Sequence, residues 1–464
     1  MIGRLRRLPA VAGALRAARE LESHDKWDRD RLERHQQSRL VAIVRHAATH
    51  SPYYRERLAG IEFSDDLDVA ALPTLAKATM LDNFDGIVTD RRLSLATVEA
   101  HLAELEQRDD DALLLRQYRA MESGGTSGRR GIFVYGREDW SEVLGGLLRW
   151  SGGFLGLTPR LPRRRMATVA ADSPLHMTGR MARSLDAGLA RPLNLDARSP
   201  LPDLVDALNR HRPETLAGYP SVLSMLAAEQ LAGRLRIGPG VLATTSEVCT
   251  AEMRQMIEAA WGRVPFNGYA STETGMLAGD CDRHAGLHLF SDLALFEIVD
   301  DDHRPVPPGQ PGNHVLVTNL VNRTQPLIRF ELDDLVAVAP EPCPCGRPHP
   351  LLERVDGRSD DVLDLPAVEG GTVAVHPRAI RVPLGSLSEV HEYRVVREPD
   401  ALRIEAVLGG VDGDLERVTA VISERLRTSL ADAGARPPRI VVQPVTEIPP
   451  NPVTGKRRLI VSAT

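Results

Sequence analysis

Lys456 stands in the proline- and glycine-bounded segment PPNPVTGKRRLI, Pro449 to Ile460. It is one of only three lysines, with Lys26 and Lys77, among 57 basic residues. Where arginine is the habitual cation, a lysine in a loop points to a use for a compact ammonium that a planar guanidinium would not serve. Far upstream, SGGTSGRRG, Ser123 to Gly131, packs four glycines and three hydroxyls into nine residues ahead of the strand-like IFVY. Glycine lets backbone N–H groups approach an anion closely, hydroxyls add donors, and Arg129 and Arg130 supply charge, so the segment could wrap phosphates. It is not a Walker A loop, because no lysine follows its glycines and a strand follows where a helix is required. A flexible glycine-rich turn is its plainer alternative.

Four further clusters carry polar chemistry. NGYASTETG, Asn267 to Gly275, follows a helical stretch ending at Trp261 and offers an aromatic face for a base, hydroxyls for a phosphate and a carboxylate for Mg²⁺. PLIRFELDDL, Pro326 to Leu335, ends a strand-like run in paired acids, and VDGRSDDVL, Val355 to Leu363, sets Arg358 beside two acids at a turn. The last is sulfur and imidazole: Cys343 and Cys345 form C-x-C in a proline-rich loop, and Cys281 begins CDRHAGLH, with His284 and His288 close behind. Thiolates and imidazoles in fours suit tetrahedral Zn²⁺. Either His284, at C-x-x-H spacing, or His288 could complete the set, and reduced surface cysteines are the alternative. Cys249 sits apart and reads as core.

These segments need a scaffold, and the chain is long enough for two to four folded units at 464 residues. Its 42% hydrophobic and 26% charged content is globular, and a net charge of −6 argues against a general nucleic-acid binder. No apolar run reaches the roughly 18 residues of a membrane span, and the basic N-terminus is a poor signal peptide because Arg16 interrupts its apolar run. The cytoplasm is the expected address. Four cysteines are too few for a disulfide framework in a chain of this size.

Residues 28 to 120 show apolar positions at helical spacing, as in LERHQQSRLVAIVRHAATH. From 120 to 335, strand-like ATVAA, ETLAGY, GVLATT and HVLVTNL alternate with helical stretches such as PSVLSMLAAEQLAG. Such alternation predicts α/β layers with mostly parallel sheets. After a boundary at Gly357 to Asp361, EYRVVRE, LRIEAVL and RIVVQPV read as strands around the helical LERVTAVISERLRTSLADAG. The expected fold is therefore α/β: a large multi-layer N-terminal domain, residues 1–357, mainly helical to 120, joined by a hinge to a small α+β domain, residues 358–464.

In their order and approximate spacing the clusters resemble the phenylacetate-CoA ligase branch of the adenylate-forming, or acyl-CoA synthetase, superfamily. SPYYRERL, ALPTLAKATMLDNFD, GYPSVL, TTSEVCTAEMRQMIE, YASTE, LIRFELDDL, CPCGRPHPLLERVDGRSDDV and VTGKRR have counterparts there, from about residue 30 to the C-terminus. The resemblance implies ATP-dependent activation of a carboxylic acid, aryl or arylacetic, as its acyl-AMP, followed by transfer to coenzyme A. It implies that Ser123, Gly124, Gly125, Thr126, Ser127 and Gly128 clasp the β and γ phosphates, Ser246 and Glu247 line the adenine site, and Tyr269 stacks on adenine. Thr272 would touch the α-phosphate, Glu273 hold Mg²⁺, Asp334 bind the ribose, Arg358 contact the nucleotide, Asp360 act as pivot and Lys456 bridge the α-phosphate and attacking carboxylate. For zinc, the GLH context favours Cys281, His288, Cys343 and Cys345. The partners implied are a small carboxylic acid, ATP and coenzyme A, with no nucleic acid and no membrane; a homodimer is allowed.

Two positions depart from the family pattern: Arg129 stands where the phosphate loop usually has lysine, and Glu331-Leu332-Asp333-Asp334 where R-T-G-D is usual. An amine or a carrier-protein thiol as acceptor, or a nucleotide-binding protein without catalysis on the same fold, are the alternatives.

Overall fold

The computed structural model describes residues 8–108, 112–123, 130–152, 163–171, 173–186, 188, 190–385, 387, 389–409, 414–451 and 455–462. Its N-terminal stretch holds helices α1 (Leu8–His24), α2 (Arg29–His50) and α3 (Leu95–Arg108). Helix α1 precedes residue 28, where the helical spacing is clearest, and lies within the region expected to be mainly helical to 120. It buries Val11, Ala14, Ala18 and Leu21 and leaves Arg16 and Arg19 exposed, so the arginines that break its apolar run mark the outer face of an amphipathic helix.

After the hairpin of β1 (Arg119–Glu122) and β2 (Ile132–Tyr135), helix α4 (Arg137–Ser151) lies against α1. The two backbones approach closely: a Cβ on Gly145 would come within 2.6 Å of Ala17 Cβ, and one on Gly13 within 2.7 Å of Ser141 Oγ. A buried ion cluster fastens the same contact. Asp292 accepts from both Nη atoms of Arg149, at 2.7 and 3.1 Å, and lies 2.8 Å from His24 Nδ1. Burial alone would push the Asp292 carboxyl up, and Arg149 and His24 more than reverse it. Removing one partner of such a buried pair typically costs about 3–5 kcal/mol.

The centre is a nine-stranded sheet, ordered β13-β14-β9-β8-β7-β6-β5-β3-β4. Strands β3 (Arg165–Ala170), β4 (Arg191–Asp196), β5 (Thr215–Gly218), β6 (Val241–Thr245) and β7 (Phe266–Ser271) are parallel. Between them run α5 (Met177–Leu185), α6 (Leu201–His211), α7 (Pro220–Leu231) and α8 (Ala251–Trp261). This is the alternating stretch of the sequence. The other half, β8 (Gly275–Gly279), β9 (Leu287–Leu289), β13 (Asp334–Val338) and β14 (Leu351–Arg358), is antiparallel. No described helix intervenes between successive strands there, and without a crossover helix a chain reverses direction at each turn. A three-stranded antiparallel sheet, β10 (Ala294–Val299), β11 (His314–Asn319) and β12 (Phe330–Leu332), packs alongside.

Side chains alternate across the large sheet. Leu216 and Leu242 face a core shared with α6 and α7, while Ala217 and Ala243 face the larger core under the N-terminal helices. A third core gathers residues between Leu363 and Ile460. There β15 (Leu363–Pro366) pairs with β16 (Thr372–Val375), α9 (Arg378–Gly385) follows, and β17 (Val390–Arg397), β18 (Ala401–Leu408), β19 (Arg439–Pro444) and β20 (Ile460–Ser462) form a four-stranded mixed sheet. Helix α10 (Leu415–Asp432) buries Val418, Ile422, Leu426 and Leu430, one residue every four, which is the stripe that LERVTAVISERLRTSL encodes. The whole is a mixed α/β fold with a separate C-terminal α+β region. No described helix is long and apolar enough to cross a membrane.

Candidate active site

Three parallel strands end side by side, and their carboxyl ends carry the polar motifs, which is where open α/β sheets place ligand sites. Strand β5 ends at Gly218, and Tyr219 then caps the N-terminus of α7. Strand β6 ends at Thr245 and is followed by Ser246, whose φ of +72° is left-handed for a residue with a side chain. Such a conformation costs free energy and is held by its surroundings, as active-site turns commonly are. The chain re-enters a helix through Thr250, whose Oγ accepts from Met253 N at 3.3 Å. Strand β7 ends at Ser271, and Thr272 and Glu273 form the turn into β8.

That turn is pinned by its main chain. Tyr135 donates its hydroxyl to Thr272 O at 2.8 Å, and Asn319 Nδ2 donates to Glu273 O at 2.9 Å. Burial pushes the Glu273 carboxyl up, against opposing hydrogen bonds from its own backbone and Ser271. A cation at this carboxylate would oppose that shift, so Glu273 is a carboxylate of this turn that could hold one. Tyr269, on β7, donates its hydroxyl to Asp334 Oδ2 at 2.7 Å. Burial raises the Tyr269 phenol pKa well above 10, and Asp334 adds to the shift. Asp334 opens β13 directly opposite Arg358, the last residue of β14, with Arg358 Nε 3.7 Å from Asp334 Oδ1. Three residues drawn from three separate motifs thus meet in one row.

Of the glycine-rich loop, Gly124, Gly125, Thr126, Ser127, Gly128 and Arg129 lie outside the described residues. Its base is closed: Ser123 N donates to Gly131 O at 2.8 Å, and Gly131 N to Ser123 Oγ at 2.9 Å. Arg130 pairs with Glu122 at 2.8 Å.

Lys456 comes to this row from the C-terminal region. Its Nζ lies 5.9 Å from the centroid of the Tyr219 ring, and it is within electrostatic reach of Arg358, Glu247, Asp334 and Glu273. Desolvation lowers its pKa below the ordinary 10.5, Arg358 lowers it further, and the three carboxylates oppose the shift. If the ammonium is the working form, activity falls as pH rises through the lowered pKa. The alkaline limb of kcat/KM for acid activation, which reports the free enzyme, is therefore expected below pH 10.5. A limb at or above that value would contradict this environment.

Two residues near Lys456 carry no role in the sequence reading. Tyr219 was visible only within GYPSVL. His176 caps α5 with Nδ1 3.3 Å from Glu122 O; burial lowers its pKa, and Lys456 and Arg130 lower it further.

The sulfur and imidazole cluster assembles separately. Cys281, His288, Cys343 and Cys345 place one ligand atom each within 4.8 Å of all the others. Cys281 Sγ lies 3.7 Å from Cys343 Sγ, and Cys345 Sγ lies 3.3 Å from His288 Nε2. Tetrahedral Zn–S bonds of about 2.3 Å set sulfur atoms about 3.8 Å apart, so the edges fit. His288 is brought in by β9, paired with β14 at Leu351 and Leu352. His284 is not in this set, and its Nδ1 lies 2.7 Å from Asp280 Oδ2. Burial pushes the Cys281 thiol up to about 12 and the His288 imidazole down to about 4, so the buried donors lack charge that a divalent cation would supply.

No family model matches the chain. It is 26% identical over 395 residues to the phenylacetate-coenzyme A ligase of Thermus thermophilus, covering 81% of this chain and 80% of that one. It is 24% identical to the phenylacetate-coenzyme A ligase of Pseudomonas putida, covering 79% of each. Among solved structures, 2-hydroxyisobutyryl-CoA ligase in the postadenylation state, in complex with R3-HIB-AMP, matches with a TM-score of 0.70 at 21% identity, covering 92% of this chain and 89% of that chain. The fold is that of the adenylate-forming ligases. In sequence the chain is similar to the two phenylacetate-coenzyme A ligases.

Proposed function

We propose that the chain activates a carboxylic acid with ATP, releasing pyrophosphate, and passes the acyl group of the resulting acyl-AMP to coenzyme A. The observation that carries this reading is that Lys456, from the C-terminal region, lies 5.9 Å from the Tyr219 ring, just past β5, and within electrostatic reach of Glu273, Asp334 and Arg358. In the first step a carboxylate oxygen attacks the α-phosphorus and the bond to pyrophosphate breaks. Negative charge moves from the attacking carboxylate onto the α-phosphate oxygens and the departing pyrophosphate, and Lys456 meets it at the α-phosphate with a desolvated ammonium. Thr272 is assigned to the α-phosphate, Asp334 to the ribose, Tyr269 to the adenine face and Arg358 to the nucleotide. The phosphate clasp is assigned to the segment Ser123–Gly128. Mg²⁺ at Glu273 would offset charge on the departing phosphates. Phenylacetate-CoA ligases as relatives support an aryl or arylacetic acid, and support coenzyme A as the acceptor.

In this reading residues 1–357 and 358–464 are two domains that turn about Gly357–Asp361 between half-reactions. Gly357 has a φ of +131°, open to glycine and strained for other residues, and a short 3₁₀ turn, Ser359–Asp361, follows it. Cys281, His288, Cys343 and Cys345 are assigned to one structural Zn²⁺. Product analysis tests the acceptor: with ATP and an activated acid, coenzyme A should yield the acyl thioester. Its replacement by an amide when amines are supplied, with no thioester from coenzyme A, would overturn this part.

A further inference from the structure

Glu247 falls in TTSEVC, whose resemblance assigns it to the adenine site, yet its two carboxylate oxygens are engaged elsewhere. Oε1 accepts the backbone N–H of Arg457 at 2.9 Å, across 210 residues of sequence. Oε2 accepts the N–H of Ser221 at 3.2 Å, at the N-terminus of α7. Helix-initial N–H groups have no intrahelical acceptor, and the helix dipole favours an anion there, so Glu247 is held from the large sheet's side whatever the C-terminal region does.

The other end of the link is the residue after Lys456. The lysine loop is closed on itself, with Gly455 N donating to Asn451 O at 2.9 Å and Asn451 N to Lys456 O at 2.8 Å. Gly455 has a φ of +67°, and a Cβ there would lie 3.2 Å from Arg198 Cγ and 3.4 Å from Ala197 Cβ, so the loop sits close against the end of β4. The Arg457 side chain turns back into its own region, donating from Nε to Glu392 Oε1 at 2.6 Å. Its side chain is thus fastened to the C-terminal region while its main chain is fastened to Glu247.

We propose that Glu247 is the catch that holds the lysine loop in its adenylating position, a positioning residue that acts on Lys456 through the Arg457 N–H. This rests on the reading that Lys456 serves adenylation. A carboxylate gripping a peptide N–H binds one domain orientation whatever the side chain at position 457. The catch must release before the second half-reaction, because the same N–H cannot stay on Glu247 when the loop leaves.

The experiment compares wild type with Glu247→Ala and Glu247→Gln by two readouts. The first is hydrogen exchange of the Arg457 amide in protein without substrates. The second is the pair of half-reactions: acid-dependent pyrophosphate exchange, and transfer to coenzyme A from supplied acyl-AMP. For Glu247→Ala we expect Arg457 exchange and the loss in adenylation kcat each to change about tenfold, the scale of a hydrogen bond to a charged group. KM for ATP should stay within about threefold, and transfer from acyl-AMP should run at the wild-type rate or faster. Glu247→Gln, which keeps one accepting oxygen, should fall between. A raised ATP KM with unchanged Arg457 exchange would make Glu247 an adenine ligand and overturn the catch. Equal losses in both half-reactions would reduce it to a structural residue. Amide exchange requires no substrate, so a protein that activates no acid would refute the proposed function while leaving the catch to be judged on its own.

Discussion

Lys456→Ala is expected to slow adenylation by about 10²–10³-fold, the usual cost of removing one preorganised group that stabilises developing charge. Transfer from preformed acyl-AMP to coenzyme A should be largely spared, because on the proposed domain turn Lys456 leaves the α-phosphate before that step. The ratio of the two half-reactions is the informative measurement. Lys456→Arg should recover little, since a planar fork cannot take the position of a compact ammonium beside Tyr219. Equal loss in both steps would count against the assigned role, and so would full recovery by arginine.

The second large effect is expected at the sulfur cluster. The purified protein should carry about one zinc per chain, and Cys343→Ser or Cys345→Ser should release it and lower the Tm by roughly 5 °C or more. The size follows from position. The ligands join β9 to the loop preceding β14, so losing the metal loosens the antiparallel half of the sheet, whose strand β14 ends at Arg358 beside the proposed hinge. Metal analysis and thermal unfolding check this together. Metal-free protein of unchanged Tm in the wild type would contradict it.

The parallel half of the fold was legible because each strand is a short apolar run set off by an amphipathic helix, and the two periodicities differ. ETLAGY and GVLATT became β5 and β6, with α7 and α8 after them. Helix α1 falls in the region expected to be mainly helical, but its own face was hidden locally: Arg16 makes the apolar run look broken until one side is known to be buried. The antiparallel half was harder still, since pairing of β13 with β14 includes two register shifts that no alternation of residue types announces.

At the site, residue types announced more than contacts did. The four metal-ligand candidates could be named from C-x-C and CDRHAGLH, with His288 preferred to His284 on the GLH context, and the structure groups the same four. Tyr269 and Asp334 were each given to a different part of the nucleotide, and their hydrogen bond across 65 residues was not visible. The Glu247 contact with Arg457 spans 210 residues and depends on how the C-terminal region sits against the sheet, which is a property of tertiary packing and not of either motif.

Formation of acyl-AMP from a carboxylic acid by this chain would show as exchange of labelled pyrophosphate into ATP across a panel of aryl, arylacetic and short hydroxy acids. Exchange should depend on Mg²⁺ and on at least one acid, and should fall by about 10²–10³-fold in Lys456→Ala. ATP binding without exchange for any acid in the panel would contradict it and leave a nucleotide-binding protein on this fold.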